Sequence, residues 1–237
     1  RGIVMFRKNL DFARRDSLSF DEVGGQQISL TNHEGGLERV SQTNAMDLVE
    51  KLYGSTLREG LDKYSVEHPL DVVDYCFLNL QEDNIRIIRL LNVAILHDVV
   101  EDYSKDGYTV DRVKSMIGLG PKETKLLDLI TRKEGQENGY LQNLFALEDG
   151  AILKLADRIA NLKDLRKWVE KEQGFTERAA DIFKKYRYET EEMLELTQKN
   201  YGEQMQDQNH PISRQVKILQ EDFAKLEMLY ASRNGKK

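Results

Sequence analysis

The sequence predicts an all-α protein, a helical bundle of about eight helices behind a short N-terminal extension. Three observations carry this. Apolar residues recur with a period near 3.6 in one segment after another from Ser41 onward. Only 3 of the 237 residues are proline, so little interrupts long helices. Those three, Pro69, Pro121 and Pro211, each stand at the start of a periodic run, where a first helical turn accepts them.

The elements follow in order. Residues 1–41 are polar and weakly periodic and form an extension. Within it, Gln27 to Thr31 and Leu37 to Val40 flank Asn32-His33-Glu34-Gly35-Gly36, a spacing that suits a small β-hairpin. Ala45, Leu48, Val49, Leu52 and Tyr53 mark a helix that Gly54 ends. Pro69 opens a helix to about Leu80. Asn84 caps a long apolar helix through Ile85, Ile88, Leu91, Ile95 and Val99. Thr109 caps a short helix to Ile117, and Pro121 starts another with Leu126, Leu127 and Ile130. Gly135 and Gly139 precede a helix with Tyr140, Leu141 and Leu144. Residues 149–168 read as a buried helix, Phe175 to about Asn200 as a long amphipathic one, and Pro211 opens the last. The boundaries are 1–41 for the extension, 42–200 for the main domain and 201–237 for a C-terminal helix.

Composition narrows the classes. A net charge of −6 argues against a general nucleic-acid or anionic-membrane binder. No apolar run approaches a membrane span, and Arg7, Lys8, Arg14 and Arg15 interrupt any signal-peptide pattern. The single Cys76 excludes an internal disulfide and falls in the apolar series Val72, Val73, Phe77, which reads as core packing. The expectation is a cytoplasmic protein acting on a small molecule, with no nucleic-acid or membrane partner; a homo-oligomer is left open.

The chemistry concentrates in Ala94-Ile95-Leu96-His97-Asp98-Val99-Val100-Glu101-Asp102. Burying several carboxylates without a compensating cation is untenable, and a metal ion is the simplest compensator. In a continuous helix His97 sits above Glu101 and Asp98 above Asp102, which gives two polar columns. His68-Pro69 precedes this segment, and Lys154-Leu155-Ala156-Asp157-Arg158 follows it. Four potential ligands thus come from three helices: His68, His97, Asp98 and Asp157. Imidazole with carboxylate suits Mn²⁺, Fe²⁺ or Zn²⁺ better than Ca²⁺, and the lack of a Cys ligand removes the usual structural zinc. Lys154, Asp157 and Asn161 share a stripe that suits a metal and a phosphorylated substrate. Arg132 and Lys133 offer phosphate contacts or simply end a helix. His33 reads as a turn residue, and His210 as the neighbour of a helix-opening proline.

These residues resemble the HD-domain metal-dependent phosphohydrolases, whose motif is His … His-Asp … Asp. His97-Asp98-Val99-Val100-Glu101-Asp102, followed by Tyr108-Thr109-Val110, is most similar to the RelA/SpoT-type alarmone hydrolases and their small stand-alone relatives. So are Glu67-His68-Pro69 and Lys154-Leu155-Ala156-Asp157-Arg158 with Asn161-Leu162. The likeness runs from about residue 45 to 197 in the same order. It implies Mn²⁺-dependent removal of the 3′-pyrophosphate from guanosine tetra- or pentaphosphate. By the family pattern His68, His97, Asp98 and Asp157 are the metal ligands, Glu101 and Asp102 act on the attacking water, and Asn161 contacts the nucleotide. Lys154, Arg158, Arg58 and Lys63 are the cations available to its phosphates. The family carries a Tyr three residues before its first His, whereas Tyr64 stands four before His68. Two other functions compete: an HD-type phosphohydrolase acting on a deoxynucleoside monophosphate or NADPH, and a metal-bound nucleotide sensor without catalysis.

Overall fold

The computed structural model describes residues 45–78, 84–135 and 138–234. The suggested hairpin, the extension and the Asn84 side chain lie outside them. The described residues are all-helical, with no β-strand among them. The chain falls into two compact units, each assembled from two stretches. The first takes residues up to Ser55 and Leu78–Asn138; the second takes Thr56–Phe77 and Gly139–Lys237.

In the first unit, helix α1 (45–53) is followed by α3 (Asn84–Leu96), α4 (Val99–Asp102), α5 (Val110–Ile117) and α6 (Pro121–Ile130). α3 and α5 pack on α6, with Leu90, Val93, Leu96, Val113 and Leu127 buried among them. The start signals read from the sequence hold for α5 and α6. Thr109 accepts from the Arg112 amide, and Gly120-Pro121 opens α6 with the Glu123 carboxylate accepting from the Gly120 amide at 2.8 Å.

The expected continuous helix through His97 to Val99 is corrected. α3 stops at Leu96, and a two-residue turn at His97-Asp98 precedes α4. His97 Nδ1 lies 2.8 Å from the Ala94 carbonyl, the acceptor that the Asp98 amide would use in an unbroken helix. One link of the expected columns survives, because the Asp102 amide still donates to the Asp98 carbonyl at 2.8 Å.

The second unit holds α2 (Glu67–Tyr75), α7 (Tyr140–Phe145), α8 (Glu148–Lys171), α9 (Glu177–Tyr201) and α10 (Pro211–Asn234). α8 is the central rod. α2, α7, α9 and α10 all pack on it, and every residue from Gly150 to Ala160 is buried. A stretch buried around its whole circumference is a core helix, and its charged members Lys154, Asp157 and Arg158 are held in ion pairs. Each buried Leu or Ile here contributes about 1.5–3 kcal/mol. Phe175, Phe183 and Tyr230 join α9 to α10 through ring contacts of 5.3–5.4 Å. The Gln215 amide of α10 donates at 2.8 Å both to the Tyr75 carbonyl, at the open end of α2, and to the Ile152 carbonyl of α8.

α2 also departs from expectation. It begins at Glu67 and ends at Tyr75, short of Leu80, because Phe77 turns into the left-handed region at φ 50°. His68 therefore sits in its first turn and is buried. Among the described residues no helix is long and apolar enough to cross a membrane.

Candidate functional site

Each unit holds a histidine–carboxylate pair of its own, and the donor types of His68, His97 and Asp98 are those that hold a metal ion. In the first unit the turn between α3 and α4 presents His97 and Asp98. The His97 ring is buried, and Asp98 is half-buried. A carbonyl can only accept, so the bond to Ala94 puts the ring proton on Nδ1. Nε2 then carries the lone pair of the neutral imidazole. It lies 3.1 Å from Asp98 Oδ2. Two acceptors at that distance call for positive charge, either a proton on the ring or a cation. A backbone bond that fixes the tautomer and turns Nε2 outward is the usual support of a metal-ligating histidine.

Glu101 and Asp102 follow on α4, both exposed. Glu101 Oε2 accepts from the Arg132 backbone amide at 3.2 Å. Asp102 Oδ2 accepts from the Tyr53 hydroxyl at 2.9 Å. Desolvation and the neighbouring Asp98 and Glu101 push the Asp102 carboxyl above its ordinary range, while the Tyr53 hydroxyl and His97 pull it down. Tyr53 in turn is pushed up by burial and by Asp102 and Asp98, so its hydroxyl is a donor at any working pH.

In the second unit His68 Nε2 lies 3.4 Å from Asp157 Oδ1. That carboxylate also accepts from Asn161 Nδ2 at 2.6 Å and, on Oδ2, from Lys154 Nζ at 2.8 Å. The stripe of Lys154, Asp157 and Asn161 therefore closes on itself around the carboxylate. Burial works against the Lys154 charge, but Asp157 outweighs it and holds the ammonium protonated.

The remaining predicted cations are less available than the sequence suggests. Arg58 donates to Asn161 Oδ1 at 3.0 Å, and its Nε lies 2.9 Å from Asp164. Lys63 bridges Asp71 and Asp164. Arg158 is the most committed of them: its side chain is buried in an ion pair with Glu189, its guanidinium 4.3 Å above the Tyr186 ring. Arg58 and Asn161 do line a cavity of about 240 Å³, together with Asp164, Trp168 and Tyr186.

Sequence reasoning missed Tyr53 and Asp164. Asp164 was open to discovery, since Asp157, Asn161 and Asp164 stand at i, i+4 and i+7 on α8 and share a face. Tyr53 gave no local signal, because its place in an apolar series marks only the ring. Compared with known proteins, the chain matches no family model and no curated protein sequence.

Proposed function

We propose that the protein is a metal-dependent phosphohydrolase, with guanosine 3′,5′-bispyrophosphate as its substrate and pyrophosphate from the 3′ position as its product. The observation that carries the reading is the paired arrangement of ligand-type groups. One buried histidine, His97, has its tautomer fixed for ligation beside Asp98, and a second, His68, lies beside the buried Asp157. They follow one another along the chain in the order His, His-Asp, Asp.

The donor chemistry fits a divalent transition ion, Mn²⁺ or a close relative, held by His68, His97, Asp98 and Asp157. Such an ion supplies Lewis acidity, lowering the pKa of a coordinated water and offsetting charge on phosphoryl oxygens. The chain's own groups do the rest. Glu101 and Asp102 are exposed carboxylates that orient an attacking water and take its proton. Lys154 holds Asp157 in place through its 2.8 Å bond to Oδ2. Asn161 and Arg58 offer an amide and a guanidinium to the nucleotide, with Lys63 behind them as a further cation. The reading carries with it a cytoplasmic location and a small-molecule partner.

The test is turnover on a nucleotide panel with Mn²⁺ added. Pyrophosphate should appear from guanosine 3′,5′-bispyrophosphate, and EDTA should stop it. Phosphate release from deoxynucleoside monophosphates or NADPH, with no pyrophosphate from the guanosine substrate, would move the assignment to another phosphohydrolase. Stoichiometric metal with no turnover on any nucleotide would leave a binding module.

A further inference from the structure

Two carboxylates that act on water must be held as well as present, and the first unit holds both with groups from outside α4. Tyr53, at the end of α1, is nearly buried at 9% exposure. Its ring meets Tyr103 edge-on with centroids 5.2 Å apart. The Tyr103 hydroxyl is anchored in turn on the Leu52 carbonyl at 2.6 Å. A ring fixed in this way aims its hydroxyl at one oxygen of Asp102, Oδ2, at 2.9 Å. On the other side, Thr131 ends α6 with its hydroxyl on the Leu127 carbonyl at 2.7 Å and its backbone extended at φ −71°, ψ 120°. This directs the next amide, that of Arg132, at one oxygen of Glu101, Oε2, at 3.2 Å.

We propose that the Tyr53 hydroxyl and the Arg132 backbone amide are positioning groups for Asp102 and Glu101. Each donor fixes one oxygen of its carboxylate and leaves the other for water or substrate. The inference rests on the hydrolase reading above. It adds two groups that the motif does not contain, one of them a backbone amide that no residue type reveals. A bond to an ionised acceptor is stronger than a neutral one, and small displacements of reacting groups are costly in rate.

The experiment compares the full chain with Tyr53→Phe, Arg132→Pro and Arg132→Ala. It reads kcat, KM, bound Mn²⁺ and melting temperature with guanosine 3′,5′-bispyrophosphate as substrate. Tyr53→Phe removes one hydroxyl and keeps the ring. It should lower kcat about tenfold, less than the roughly 10²-fold cost of a full 1 Å displacement, with KM, bound metal and melting temperature near wild type. Arg132→Pro deletes the amide donor, and the extended Thr131 is a conformation that a following proline accepts. It should lose about tenfold more kcat than Arg132→Ala, which keeps the amide. Wild-type kcat in both Tyr53→Phe and Arg132→Pro overturns the inference alone. So does a loss of turnover that only tracks lost metal or lost fold. No turnover by the wild-type chain on any nucleotide overturns the hydrolase reading and this inference with it.

Discussion

His97 illustrates how one bond fixes a tautomer. Its Nδ1 proton is committed to Ala94, so Nε2 is the atom a metal would take. His97→Ala should abolish stoichiometric Mn²⁺, read by elemental analysis after desalting; full retention would remove His97 from the ligand set. Glu101 and Asp102 predict the opposite pattern. The Glu101→Gln, Asp102→Asn double variant should retain metal and lose about 10²- to 10⁴-fold in kcat, the usual cost of losing a general base. A different residue sets a pH dependence of stability. Glu123 is fully buried, accepting from Asn92 at 2.6 Å and from the Gly120 amide at 2.8 Å. Burial raises its pKa above the ordinary 4.5, against the lowering pull of Asn92, Gly120 and Arg89. The folded chain thus keeps this proton to higher pH than the unfolded one. The stabilising contribution is full below 4.5 and is lost as pH rises through the folded value. Glu123→Gln does not titrate, so wild-type stability relative to that variant should fall as pH rises above 4.5. Urea titrations at stepped pH measure it, and a difference independent of pH would contradict the assignment.

At the scale of elements, what was legible was local. Thr109 and Pro121 fixed the starts of α5 and α6 because a cap or a proline acts within one turn. α8 was legible because apolar residues dominate its stretch from Ala151 to Leu165. The break at His97-Asp98 was not, since a side chain competing for a backbone carbonyl leaves the apolar period untouched. The commitments of Arg58, Lys63 and Arg158 were hidden for a related reason. Their acidic partners Asp164 and Glu189 lie far along the chain, and ion pairing over such separations has no sequence period. Contact between α7 and α8 yields a prediction of its own. A Cβ at Gly150 would collide with the Leu144 carbonyl oxygen and stand 2.8 Å from Leu144 Cδ1. Gly→Ala inside a helix ordinarily stabilises by up to about 1 kcal/mol. Here overpacking costs about 1–3 kcal/mol and wins. Gly150→Ala should lower the melting temperature by about 2–8 °C; an unchanged or higher value would show that Leu144 yields freely.

At the scale of the whole molecule, the proposed function pairs a chain of net charge −6 with a strongly anionic substrate, so binding under that proposal must rely on local cations. Exposed charges are screened by salt, whereas a metal–phosphate contact is far less so. KM should therefore rise with ionic strength more than kcat falls, measured between about 0.05 and 0.5 M salt, a range over which the Debye length shrinks severalfold. A kcat that collapses while KM stays constant would place the salt-sensitive step in the chemistry. The division of the chain into units has a further consequence, in time rather than space. α2 and the rod it packs on, α8, belong to one unit, yet the whole stretch Leu78–Asn138 is made between them. On a ribosome adding about 5–20 residues per second, Val72, Val73 and Cys76 wait on the order of ten seconds before their covering helix exists. For that interval these apolar residues lack the helix they will pack on, and transiently exposed apolar surface of this kind is what chaperones bind and aggregation exploits.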